Sequence, residues 1–155
     1  MPLPHPFLSA IADRARAAGV FADVRTEDGR LICDAKDSAE PAFYSVVEDA
    51  GRAWVQLQTP ARYLSQSIEA DLMFTGDKIN DLIHEEMMDQ GYANALPSAP
   101  ELPVEHFRSD SKLYTFRSPL PVAITDPAAA PVAIAALLGY EAAFRELGDM
   151  TADDE

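Results

Sequence analysis

The chain has 155 residues, enough to bury a core without disulfide or metal staples, and its 48% hydrophobic content argues against disorder. Twelve Lys and Arg stand against 26 Asp and Glu, a net charge of −14 that repels phosphate backbones and anionic lipid, so neither nucleic acid nor a membrane surface is an expected partner. A single cysteine, Cys33, excludes an internal disulfide and fits a reducing compartment.

The lead MPLPHPF lacks the basic and apolar regions of a signal peptide. The most apolar window, 128–140, falls short of the roughly 20 residues that cross a bilayer. The expectation is a soluble, cytoplasmic protein with one domain over 1–155 and loose ends at 1–5 and 149–155.

Pro6 suits a first helical turn, and Phe7, Leu8, Ile11, Ala15 and Ala18 recur at helical spacing up to a stop at Gly19. Residues 20–26 and 31–34 read as strands joined at Asp28-Gly29, a hairpin signal. Cys33 lies in the second as a small hydrophobe. After a polar loop over 35–41 come a third strand, 42–48, a turn at Asp49-Ala50-Gly51, and a fourth strand, 52–59. Alternation puts Val55, Leu57 and Thr59 on one face of that strand, and Trp54, Gln56 and Gln58 on the other.

Residues 62–92 lie within the longest proline-free run, 61–96, and read as two helices broken at Phe74-Thr75-Gly76-Asp77. Leu64, Ile68 and Leu72 form the stripe of the first, widened by Tyr63 and Phe74, with Arg62, Gln66, Glu69 and Met73 opposite. Thr75 suits an N-cap for the second, Asp77 its first turn, and Ile79, Leu82, Ile83 and Met87 its buried face before Gly91. A proline-rich loop over 93–103 leads to a second hairpin, 104–109 and 112–118. The last helix opens at Thr125-Asp126-Pro127 and runs to about Leu147, with an acidic tail after it. The order α-ββ-ββ-αα-ββ-α describes an α+β fold, helices packed on a mostly antiparallel sheet.

No motif assembles a catalytic, metal or cofactor site. His84 lacks the second imidazole one turn on that a zinc helix needs, and reads as solvated. Glu69 and Asp71 lie two apart and do not share a helix face. Ser65 and Ser67 lie mid-helix without a nucleophile turn, and no Gly-rich phosphate cradle is present. The expectation is a non-enzymatic protein with no cofactor.

Two features point to binding instead. The outer acids Glu69, Asp81, Glu85, Glu86 and Asp89 make a candidate face for a basic or amphipathic protein segment. Those in the last turn of their helix oppose its dipole at about 0.3–1 kcal/mol each. The last helix is apolar nearly all round, with one charge, Glu141, across 128–144. A terminal helix in so small a chain is hard to bury fully. Ile134, Leu137, Leu138 and Phe144 are therefore candidate homodimer contacts, with Gly139 allowing close helix approach. The alternative is a small-molecule-binding protein or small enzyme with a site between the central helices and the sheet, a reading that a closed apolar pocket containing Trp54 or Tyr114 beside a desolvated Glu69 would favour.

The Glu27-Asp28-Gly29 hairpin, the strand Trp54-Val55-Gln56-Leu57, the hairpin from His106 to Arg117 and the alanine-rich last helix together resemble the YbjN-like family and the related type III secretion chaperone fold. The doubled central helix and long proline loop depart from that pattern. The resemblance implies a dimeric binding module, regulatory or chaperone-like, and no residue roles.

Overall fold

In the computed structural model, residues 3–148 and 150 are described, apart from residues 37, 39 and 77. Two tight turns organise the first half. Asp28 and Gly29 both take positive φ, 52° and 75°, and so join β1 (Phe21–Glu27) to β2 (Arg30–Ala35) with the hand that matches strand twist. Ala50 and Gly51 do the same between β3 (Phe43–Asp49) and β4 (Arg52–Thr59), at φ 54° and 79°. The chain then leaves the sheet through the helices and returns as β5 (Glu105–Arg108) and β6 (Tyr114–Pro119). The six strands lie in the order β1-β2-β3-β4-β6-β5, every neighbouring pair antiparallel. The α+β class read from the sequence is the observed one.

Register places Leu31, Cys33, Tyr44, Val46, Val55, Leu57 and Phe116 on one face, where they join the core built with the helices. Ile32, Ser45, Gln56, Gln58 and Thr115 take the opposite face and lie outside that core. Among the described residues, no helix of the core layer covers this outer face.

Helix α1 (His5–Ala18) buries Phe7, Leu8, Ile11, Ala12 and Ala15, and ends on Gly19 at φ 69°. The segment before it is anchored at Leu3, which is buried and donates its N–H to the Gly29 carbonyl at 2.9 Å. The expected loose lead is therefore corrected at Leu3; Met1 and Pro2 lie outside the described residues, as do Asp149 and the tail from residue 151.

Helices α2 (Arg62–Thr75) and α3 (Ile79–Asp89) occupy the central stretch. Thr75 is the last residue of α2, not a cap for α3. Its hydroxyl donates back to the Asp71 carbonyl at 3.2 Å, and Lys78 takes the N-cap position. Asp77 lies outside the described residues. Gly91, at φ 86°, starts a further turn, α4 (Tyr92–Ala95), inside what reads as loop. The Tyr92 hydroxyl then donates to the Pro100 carbonyl at 2.7 Å and pins the proline-rich crossing.

Helix α5 (Ala129–Phe144) buries all but Ala130, Pro131 and Leu138. It is the central element of the helical layer, lying against β3, β4, α1, α3 and α4. Ile134, Leu137 and Phe144 are at most 3% exposed within the single chain. The dimer contact expected from them is corrected. Their area is already spent against the chain's own strands and helices, and only Leu138 reaches the surface. Gly139 does allow close helix approach, but to α3: a Cβ there would stand 2.5 Å from Met87 Cγ and 3.2 Å from its backbone N.

Candidate functional site

The acids on the central helices do not form one face. Glu69 turns to the sheet edge, where its Oε1 sits 2.7 Å from His106 Nε2. That imidazole stacks on Phe116 with centroids 3.8 Å apart and meets the Thr115 carbonyl through Nδ1 at 2.9 Å. Ser65 Oγ lies 3.5 Å from the same Nε2. A serine, a histidine and a carboxylate thus converge, but not as a relay. A nucleophile triad puts the carboxylate on the nitrogen opposite the hydroxyl. Here both address Nε2, and Ser65 is buried. The cluster is a clamp that fixes α2 to β5 and β6.

Asp81 and Glu85 line a hollow of about 480 Å³ with Lys78, His84 and Glu101. His84 is half-buried, where the sequence reads it as solvated. Its ring meets Tyr92 edge-on, centroids 6.1 Å apart, and its Nδ1 is buried without a hydrogen-bond partner. The cause is α4, which folds Tyr92 back against the outer side of α3. Among the described residues no three His, Cys, Asp or Glu side chains are grouped to hold a metal ion. Asp89 is exposed at the end of α3 and lines neither this hollow nor the cleft below.

Glu85 and Glu86 instead meet two acids from elsewhere. A cleft of about 310 Å³ runs between the last turn of α2, α3 and the end of α5. Its walls carry Asp71, Glu85, Glu86 and Glu146, and its floor is Leu82, Ala142, Ala143 and Leu147. Among the described residues no Lys or Arg lines it. Asp71 Oδ2 accepts the Gly148 N–H at 2.9 Å, which draws the chain after α5 onto α2. Gly148 is required there, because a Cβ would lie 2.6 Å from the Ile68 backbone N.

The negative field of this region is felt by Glu141, one turn back on α5. Burial pushes its carboxyl up from the usual value, and Glu146 and Glu86 add to that shift, while Arg145 opposes it through a 3.2 Å ion pair. On the last turn of α2, Met73 and Phe74 are 84% and 91% exposed, and neither is among the residues lining the cleft. The sequence expectation that Phe74, and Tyr63 at 63%, widen the buried stripe is corrected. Both stay exposed, because α2 rides at the rim of the layer and buries only Leu64, Ser65 and Ile68.

Trp54 and Glu69 do not come together. Trp54 lies on the outer face, under the Arg117 guanidinium at 4.1 Å from its ring, whereas Glu69 is on the helix side with His106. Tyr114 is paired with Arg108 instead, 5.7 Å from guanidinium to ring. Cys33 is sealed in the core, its thiol pushed up to about 12 by burial, which removes the reactive thiolate at neutral pH.

No family model matches the chain, and neither does any curated protein or solved structure.

Proposed function

We propose that this protein is a binding module for a basic, amphipathic segment of another protein, received in the cleft between α2, α3 and α5. The observation that carries the reading is the pairing, among the described lining residues, of four carboxylates and no cation with an apolar floor, while Met73 and Phe74 are bare on the same last turn of α2 that carries Asp71. Carboxylates on the walls select Lys or Arg and steer their approach, and the floor takes the aliphatic part of the segment. Exposed large apolar side chains at a rim are where such partners gain contact area. A regulatory or chaperone-like role, as the family resemblance implies, fits this mode of recognition. A homodimer, if formed, uses a surface other than the core side of α5.

The test is a titration of a synthetic amphipathic Lys/Leu helix, read by anisotropy, against charge-matched variants. Glu86→Lys is expected to weaken binding about tenfold, and Asp23→Lys, far away on β1, to change it little. If Asp23→Lys weakens binding as much as Glu86→Lys does, net charge rather than the cleft is responsible and the reading fails. Phe74→Ser separates the apolar contribution, with an expected loss of about fivefold that salt does not alter.

A further inference from the structure

On the other side of the molecule the outer face of the sheet is hollow. A cavity of about 510 Å³ opens there, closed on one flank by Ser111 and Leu113 from the turn between β5 and β6. Its floor is unusual for a sheet face that carries no helix. Gln56 and Gln58, on β4, are each only 8% exposed. Each donates an amide N–H to a neighbouring hydroxyl at 3.1 Å, Gln56 to Ser45 and Gln58 to Thr115. Neither side-chain carbonyl receives a donor from the described protein, and neither is sealed from the cavity. Two acceptors thus look into the hollow from strand positions i and i+2.

Around them stand Ile32, Phe43 and Val47. Glu48 lines it too, its Oε1 accepting the Gly51 N–H at 2.7 Å. Two guanidinium groups also reach the cavity, and they differ. Arg25 is held by Asp34 at 3.0 Å and by Asp23 and Glu27 at 3.2 Å, so its charge is satisfied. Arg30, exposed at the start of β2, forms no ion pair or side-chain hydrogen bond among the described residues.

We infer that this hollow binds a short extended peptide with a free carboxylate. Residues i and i+2 on a strand are about 7 Å apart, which is also the spacing of alternate N–H groups along an extended peptide. The amide carbonyls of Gln56 and Gln58 accept two such N–H groups. Ile32, Phe43 and Val47 take an aliphatic or aromatic side chain, and Arg30 takes the carboxylate in the bidentate geometry a guanidinium offers. An isolated anion would use Arg30 alone and leave both acceptors unmet. The site is independent of the acidic cleft, which is on the helical side and selects the opposite charge.

The experiment is thermal unfolding of the full chain with the tripeptides Gly-Gly-Leu and Gly-Gly-Phe, their C-terminal amides, and inorganic phosphate. The free tripeptide is expected to raise the midpoint by about 3 °C, the shift for a domain of this size near ten times the dissociation constant. The amide form and the Arg30→Ala variant are expected to lose most of that shift, and Gln56→Leu to lose at least half. Arg30 is exposed, so its variant folds, and its own melt without ligand confirms this. No shift with either free tripeptide at about 10 mM, far above any useful dissociation constant, overturns the inference. So does an equal shift with the amides, or one as large with phosphate.

Discussion

Glu141 shows how one residue carries a cost that only three dimensions reveal. It is 7% exposed on α5 and paired to Arg145 at 3.2 Å, yet burial still lifts its carboxyl above the usual range, helped by Glu146 and Glu86. Lys36, and Arg14 across the groove beside Leu138, are the other cations on that side. A raised folded value means that folding favours the protonated form. The stabilising contribution is therefore full below the unfolded value, near pH 4.5, and is lost as pH rises through the higher folded value. Glu141→Gln keeps the size and can still accept from Arg145. It is expected to match the parent below about pH 4 and to be the more stable protein at pH 7, by urea unfolding at the two pH values. A glutamine variant less stable at pH 7 would show that the ion pair outweighs desolvation. In the sequence Glu141 was visible only as the one charge on an apolar helix. The partners that matter, Glu86 and Lys36, are far along the chain, as are Glu69 and His106. Helical spacing lists what shares a face, and it is silent on what another element brings to that face.

At the scale of elements, the strands were the legible part, because Asp28-Gly29 and Ala50-Gly51 fix two turns and alternation then fixes the faces. The expected strand 52–59 is β4 as found, with Val55 and Leu57 inward. Chain length alone does not show how deep the last helix lies. Small residues let α5 sit deep in the layer, so a helix with no polar side needs no second copy to cover it. Its crossing with α3 makes the point testable. A methyl group at Gly139 would meet Met87 Cγ at 2.5 Å and backbone atoms of Met87 at 3.2 and 3.3 Å. Overpacking of this kind costs about 1–3 kcal/mol, and the helix-propensity gain of Gly→Ala returns at most about 1. Gly139→Ala is expected to lose about 1 kcal/mol net by urea unfolding. Met87→Ala removes Cγ, so the double variant is expected to lose less than the sum of the two singles. Strict additivity would place the strain in the backbone contacts alone.

For the molecule as a whole the charge of −14 sets two salt responses of opposite sign. Inside the chain, most ion pairs are on the surface: Arg25 with Asp23, Glu27 and Asp34, and Arg117 with Asp49 and Glu105, the acids 42–58% exposed. Pairs of that kind contribute about 0–1 kcal/mol each, so screening them removes little. Screening the self-repulsion of a strongly acidic surface removes more, because repulsion acts between many carboxylates over distances that a Debye length of about 30 Å at 0.01 M still spans. The unfolding midpoint is expected to rise by a few degrees between about 0.01 and 1 M KCl, and to rise less in a variant with Asp89 and Asp13 changed to Lys. Binding of a basic segment in the cleft must respond the other way, weakening as salt increases, since there the charges attract. A midpoint that falls with salt would mean that the Arg25 and Arg117 networks outweigh the net charge. It would also remove the argument that the acids around the cleft are held together at a cost which a cationic partner relieves.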